Sequence, residues 1–103
     1  MLFDVQRRST GKWEVLAVVG DVDLATFPQL VAAISALTGE WRAVDLTGVD
    51  YFDSLCTGAL ISAELAAQAA GSELMIVATD RTAESLRILA KNNVIKIQES
   101  LPD

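Results

Sequence analysis

The sequence contains no histidine and a single cysteine, Cys56, in 103 residues. Without histidine there is no Ser-His-Asp or Cys-His nucleophile pair, no phosphohistidine relay and no ordinary zinc site. A lone cysteine excludes an internal disulfide and a Cys-x-x-Cys motif. Long apolar runs are also missing. No stretch approaches the ~20 residues that a membrane helix needs, and Met1 to Arg8 is too polar for a signal-peptide core. The expected setting is therefore soluble, reducing and cytoplasmic, with no membrane insertion. Positive charge is scarce: 8 Lys and Arg stand against 14 Asp and Glu, a net charge of -6. Such a chain repels nucleic-acid phosphates and anionic membrane surfaces, and suits a basic protein partner. The same charge also serves solubility alone.

What remains is ordinary globular composition, 51% hydrophobic and 21% charged. A chain of this length buries enough surface for one core without staples, so a single domain over residues 1–103 is expected. The first strand is read over Leu2 to Arg8 and the second over Trp13 to Val19, joined by a turn at Ser9 to Lys12. Gly20 to Asp23 breaks the second strand. A helix follows, with Thr26 as N-cap, Pro28 in the first turn and Gln29 closing a Thr-x-x-Gln capping box; Gly39 stops it. Arg42 to Leu46 reads as a short strand and Thr47 to Asp53 as a loop. Ser54 to about Ala70, dominated by Ala, Leu and Ile, reads as a helix stopped by Gly71. Leu74 to Val77 is a central strand, Thr82 to Lys91 an amphipathic helix ending at Asn92-Asn93, Val94 to Gln98 a last strand, and Ser100 to Asp103 a tail. The order β-β-α-β-α-β-α-β predicts an α/β fold. A hairpin leads into a mixed, mostly parallel central sheet, with helices mainly on one face.

In such a sheet, sites gather where parallel strands end and helices begin. The loop Thr47-Gly48-Val49-Asp50-Tyr51-Phe52-Asp53-Ser54 is the first such place. Asp53 or Ser54 should cap the long helix, where free N–H groups and the helix dipole accept an anion. A phosphate on Ser54 would be tolerated there and would add roughly 1.5–2 negative charges to an acidic surface. Asp-Ser is also a common N-cap pair, and local pattern alone favours that plainer role.

The run Val44-Asp45-Leu46-Thr47-Gly48-Val49-Asp50-Tyr51-Phe52-Asp53-Ser54, followed by a small-residue helix, resembles the signature of STAS domains, in particular bacterial anti-sigma factor antagonists. That family shows Asp-Leu-Ser, then an apolar residue before Asp-Ser-Ser-Gly-Leu-Gly. Gly20-Asp21-Val22-Asp23 is similar to its Gly-Glu-Leu-Asp segment, and Gly71-Ser72-Glu73-Leu74 to its Gly-x-x-Leu strand. The resemblance runs in register from about residue 3 to 98. It implies a non-enzymatic regulator. The unphosphorylated protein would bind an anti-sigma factor that is also a serine kinase, releasing the sigma factor for transcription. Phosphorylation at Ser54 would switch it off, and a partner serine phosphatase would reverse this. The implied binding surface comprises Asp23, Asp53, Ser54, Leu55 and Thr57. No cofactor, metal or small-molecule ligand is expected of this chain; ATP and Mg²⁺ would belong to the kinase.

Two departures stand out. The family's second Ser is Leu55 here and the following Gly is Cys56, while Gly58 matches. STAS domains also serve as accessory or scaffold subunits of lipid transporters and stress-signalling complexes, without a phosphoswitch, and the departures keep that alternative open. A counterpart of the family's frequent fourth helix is not expected in Glu99 to Asp103, where Pro102 argues against a long helix. Among other residues, Cys56 in a first helical turn suggests a lowered thiol pKa, against a simple packing role. Asp45, Asp50 and Asp53 suggest a magnesium site, against ordinary turn chemistry. Thr57 is a second hydroxyl but should lie inside the helix, facing backbone or sheet. Trp13 and Trp41 should lean on the sheet edge. Arg81, Arg87 and Lys91 read as a solvated face.

Overall fold

The chain is described by a computed structural model over residues 3–89 and 97–100. β1 (Phe3–Thr10) and β2 (Trp13–Val22) form an antiparallel hairpin turning at Gly11, whose φ of 59° suits glycine. Then follow α1 (Phe27–Ser35), β3 (Trp41–Phe52), a 3₁₀ turn at Ser54–Cys56, α2 (Thr57–Ala69), β4 (Glu73–Val77), α3 (Asp80–Leu89) and β5 (Ile97–Gln98). The strands lie side by side in chain order, β1-β2-β3-β4-β5, and every pair after the hairpin is parallel. Parallel crossovers are almost always right-handed, and crossovers of one hand stepping in one direction place their helices on one face. The core shows this. Leu30, Ile34 and Leu37 from the α1 segment, Leu60 and Ala67 from α2, and Ala83 and Leu86 from α3 all pack with Leu16, Val18, Val44, Leu46, Leu74 and Ile76 of the sheet. β4 is buried on both faces from Leu74 onward, as its unbroken apolar run implies.

The alternate residues of β2, β3 and β4 form a second, smaller cluster on the opposite face, where no helix packs among the described residues. Trp13, Val15, Ala43, Met75 and Val77 are buried there, with Trp41 packed against them. The two tryptophans meet edge to face, centroids 5.5 Å apart, and the Lys12 ammonium sits 3.6 Å from the Trp41 ring centroid. The tryptophans therefore roof the inner strands rather than lean on an edge.

Several local readings are corrected. β1 runs to Thr10, and β2 and β3 continue to Val22 and Phe52, so the segment read as a loop is strand. Two bulges hide this in the sequence. Register shifts between Ala17 and Val19 and between Gly20 and Asp21 break the alternation that marks a strand. Gly20 serves the bulge with a φ of 93°. Gly48 serves close approach rather than a turn: a Cβ there would lie 2.8 Å from Val19 Cγ1 and 3.1 Å from the Val18 carbonyl oxygen.

The capping box does not form, because the Thr26 hydroxyl turns back to donate to the Asp21 carbonyl, 2.9 Å. α1 ends at Ser35, before Gly39, and α3 begins at Asp80 rather than Thr82. The expected stop at Asn92-Asn93, the start of the last strand at Val94 and the end of the tail lie outside the described residues.

Candidate functional site

The parallel strands β2 and β3 deliver two loops to the same end of the sheet, and both loops are built around an aspartate. After β2, the Asp23 carboxylate accepts from the backbone N–H groups of Ala25 and Thr26, both at 2.9 Å. The Thr26 hydroxyl accepts from the Asp23 N–H at 3.0 Å. These bonds, led by that from Thr26, hold the Asp23 carboxyl below its ordinary pKa of 3.8. After β3, Asp53 caps the 3₁₀ turn, its carboxylate accepting from Leu55 N–H at 2.9 Å. The Asp53 N–H donates to the Val22 carbonyl at 2.8 Å and so ties the two loops together. Extension of both strands through their bulges makes this tie possible.

Ser54 opens the 3₁₀ turn and is exposed. Leu55 beside it is 73% exposed, and Leu24 on the neighbouring loop 63%. Between α1 and α2 runs a groove of about 430 Å³ whose apolar walls include Phe27, Val31, Ala59, Leu60 and Ala63. Ser54 thus stands on an exposed turn, with exposed Leu55 next to it in the chain, at the end of the sheet that carries the Asp23 and Asp53 carboxylates. Leu24 and the Phe27–Val31 wall were not legible as site residues. Their only sequence signals are apolar residues placed off the buried Leu30–Ile34 side of α1 and within its preceding loop.

Of the other residues singled out, Asp23, Asp53, Ser54 and Leu55 share this end of the sheet. Thr57 lies beneath it: the residue is fully buried, with its hydroxyl inside the core. Cys56 is buried too, in keeping with the packing reading, and burial followed by the charges of Asp53 and Asp23 pushes its thiol pKa up rather than down. Asp45 is engaged elsewhere, accepting from Thr47 N–H at 2.9 Å and Thr47 hydroxyl at 2.7 Å and pairing with Arg8 at 3.3 Å. The Asp45-Leu46-Thr47 signature is a local brace of β3. Among the described residues, no three acidic or cysteine side chains gather at metal-binding distances.

The chain is matched over residues 5–97 by a family model described as Mlab, STAS domain. The chain belongs to the STAS-domain family. Solved structures share the fold. An anti-sigma factor antagonist from Mycobacterium paratuberculosis is similar with a TM-score of 0.79 at 18% identity, covering 97% of this chain and 88% of that one. The unphosphorylated form of the anti-sigma factor antagonist SpoIIAA is similar with a TM-score of 0.70 at 14% identity, covering 97% and 90%. An antisigma-factor antagonist STAS domain from Rhodobacter sphaeroides is 26% identical, with a TM-score of 0.58 and coverage of 74% and 86%. No curated protein matches the sequence. In this STAS domain the Asp-Ser of the family signature occupies the tied, exposed turn, and the departures Leu55 and Cys56 fall on opposite sides of it, one in solvent and one in the core.

Proposed function

We propose that this STAS domain is an anti-sigma factor antagonist whose docking surface is switched by phosphorylation of Ser54. The observation that carries the reading is the placement of an exposed Ser54 on a turn tied through Asp53 to the β2–α1 loop, with Leu55 exposed next to it and Leu24 exposed on the tied loop. In the unmodified state this end of the sheet offers apolar area to a partner, an anti-sigma factor that is itself a serine kinase. A phosphate on Ser54 brings roughly 1.5–2 negative charges among Asp23 and Asp53. The turn's N–H groups tolerate that charge locally, while a partner surface matched to the neutral hydroxyl does not. The domain performs no chemistry; the kinase supplies ATP and Mg²⁺, and a serine phosphatase restores the hydroxyl. The working compartment in this reading is the cytoplasm.

The test is incubation with candidate anti-sigma kinases and ATP, followed by mass analysis and binding measurements. Phosphate on Ser54, full binding by Ser54→Ala and at least about tenfold weaker binding by Ser54→Asp are expected. Equal binding by Ser54→Asp and the wild type would falsify the switch.

One observation favours a second reading. Leu55, where the family pattern has Ser, puts a large apolar side chain into solvent permanently. A constitutive docking surface of this kind suits an accessory or scaffold subunit of a lipid transporter or stress-signalling complex, with no phosphoswitch. Recovery of a transporter ATPase rather than a sigma-regulatory kinase from native lysate selects it.

A further inference from the structure

β1 is the first strand of the sheet and pairs only with β2, so its other edge is unpaired among the described residues. The edge is unusually regular. All eight residues of Phe3–Thr10 pair in unbroken register with β2, with no bulge and no proline. An open, regular edge is a template for another strand unless something on it forbids pairing. The charges on β1 decide which strand it accepts.

We propose that two copies of this chain associate edge to edge through antiparallel β1 strands, with Gln6 facing Gln6 across a two-fold axis. A two-fold that sets two copies of one strand side by side and antiparallel must stand perpendicular to the sheet. Residues directly opposite then share a face, so the positions of each pair sum to an even number. This leaves few registers. Centring on Asp4, Arg7 or Arg8 places that charge against its own copy, which destabilises the pair. Centring on Val5 shortens the overlap and places Asp4 against Gln6. Centring on Gln6 overlaps residues 3–9 and places Asp4 opposite the second copy's Arg8, twice by symmetry, with Val5 against the stem of Arg7. Asp4 and Arg8 are both exposed. Arg8 keeps 52% of its side-chain surface while it pairs with Asp45, and a guanidinium has donors enough for both carboxylates. The same charges that make β1 self-complementary in one register close it to those centred on Asp4, Arg7 and Arg8.

The geometry has a consequence for the Ser54 surface. Both copies carry their helices on the same side of one continuous sheet, and the antiparallel arrangement sends their Ser54 ends in opposite directions. Each docking end stays open, so a partner would bind at two sites per dimer. The association itself does not depend on the proposed phosphoswitch.

Sedimentation of the full chain over a range of concentrations tests the proposal. A mass twice the 11.0 kDa of one chain is expected as concentration rises. Asp4→Arg alone and Arg8→Glu alone should each weaken self-association at least about tenfold, because each places like charges opposite at two positions. Mixing the two variants should restore a heterodimer, since every charge then faces its opposite. Circular dichroism and thermal melting establish that both variants are folded. A wild type that stays monomeric, a dimer insensitive to both reversals, or a mixture that fails to associate would each overturn the proposal.

Discussion

The two faces of the sheet solve the same problem with different means. On one face, α1, α2 and α3 lay leucines and alanines onto Leu16, Val44, Leu46 and Ile76 and bury the core there. On the other, no described helix covers Val15, Ala43 and Met75, and the largest side chains in the chain, Trp13 and Trp41, pack with them. Aliphatic residues suffice where a helix supplies the second layer. Where none does, the sheet has to grow its own roof from side chains long enough to lie over their neighbours. The contrast also locates function. The candidate site stands at the end of the helix-covered face, where strand ends and helix starts meet, while the bare face carries structural weight.

Mutations that thin each face sharpen this contrast. Leu60→Ala removes a side chain 1% exposed from the enclosed core and should cost about 3–4 kcal/mol in chemical unfolding, because the surrounding helices cannot close the cavity. Trp13→Ala, on a residue 5% exposed, should cost about 2–3 kcal/mol, less than its size implies, since water can reach part of the vacated space. If the Trp13 variant unfolded with the wild-type midpoint, the second cluster would be surface decoration and the contrast would fail.

Acid acts on the ends of the sheet rather than on either face. Glu14 accepts from Thr38 and Gly39 N–H groups at 2.9 and 3.0 Å and from Arg7 at 2.6 Å. The Gly39 bond above all, then Arg7, lowers its pKa from 4.5, and the Thr26 bond lowers that of Asp23 from 3.8. A carboxyl with a lowered folded pKa contributes its full stability above the unfolded value and loses it as pH falls through the folded value. Thermal midpoints should therefore decline as pH drops below these ordinary values. Glu14→Gln should flatten part of that decline; an unchanged slope would show that the turn between α1 and β3 does not depend on the charge. The smallest effect belongs to the site. Ser54→Ala should shift stability by no more than about 0.5 kcal/mol, because Ser54 is exposed and Asp53 supplies the cap. A large loss would mean that Ser54 is a structural residue, and the proposed switch would lose its rationale.

Much of this was legible from residue order. The apolar run at Leu74 to Val77, the alanine-rich stretch ending at Gly71 and the hairpin around Gly11 each carry a local period or breaker, and each element is present with shifted ends: the helix expected from Ser54 starts at Thr57, after a 3₁₀ turn that takes the Asp53 cap. Errors collected where local rules were overruled by partners distant in the chain. The segment Thr47 to Phe52 looks like a loop because its bulges scramble the alternation, yet pairing with β2 makes it strand. Thr26 and Gln29 spell a capping box, but the Asp21 carbonyl, brought close by the fold, takes the hydroxyl.

By itself, the sequence determined the element order, the absence of histidine and disulfide chemistry, and the position of Asp53-Ser54 between a strand and a helix. These are properties of composition and of short-range periodicity, which need no knowledge of what lies opposite. Only the tertiary structure decided which groups meet: the tie from Asp53 to Val22, the exposure of Leu24 and Leu55 around Ser54, the burial of Thr57, and the tryptophan roof on the bare face. Register, bulges and burial arise from pairing between distant strands, and a residue's local neighbours carry little record of that pairing.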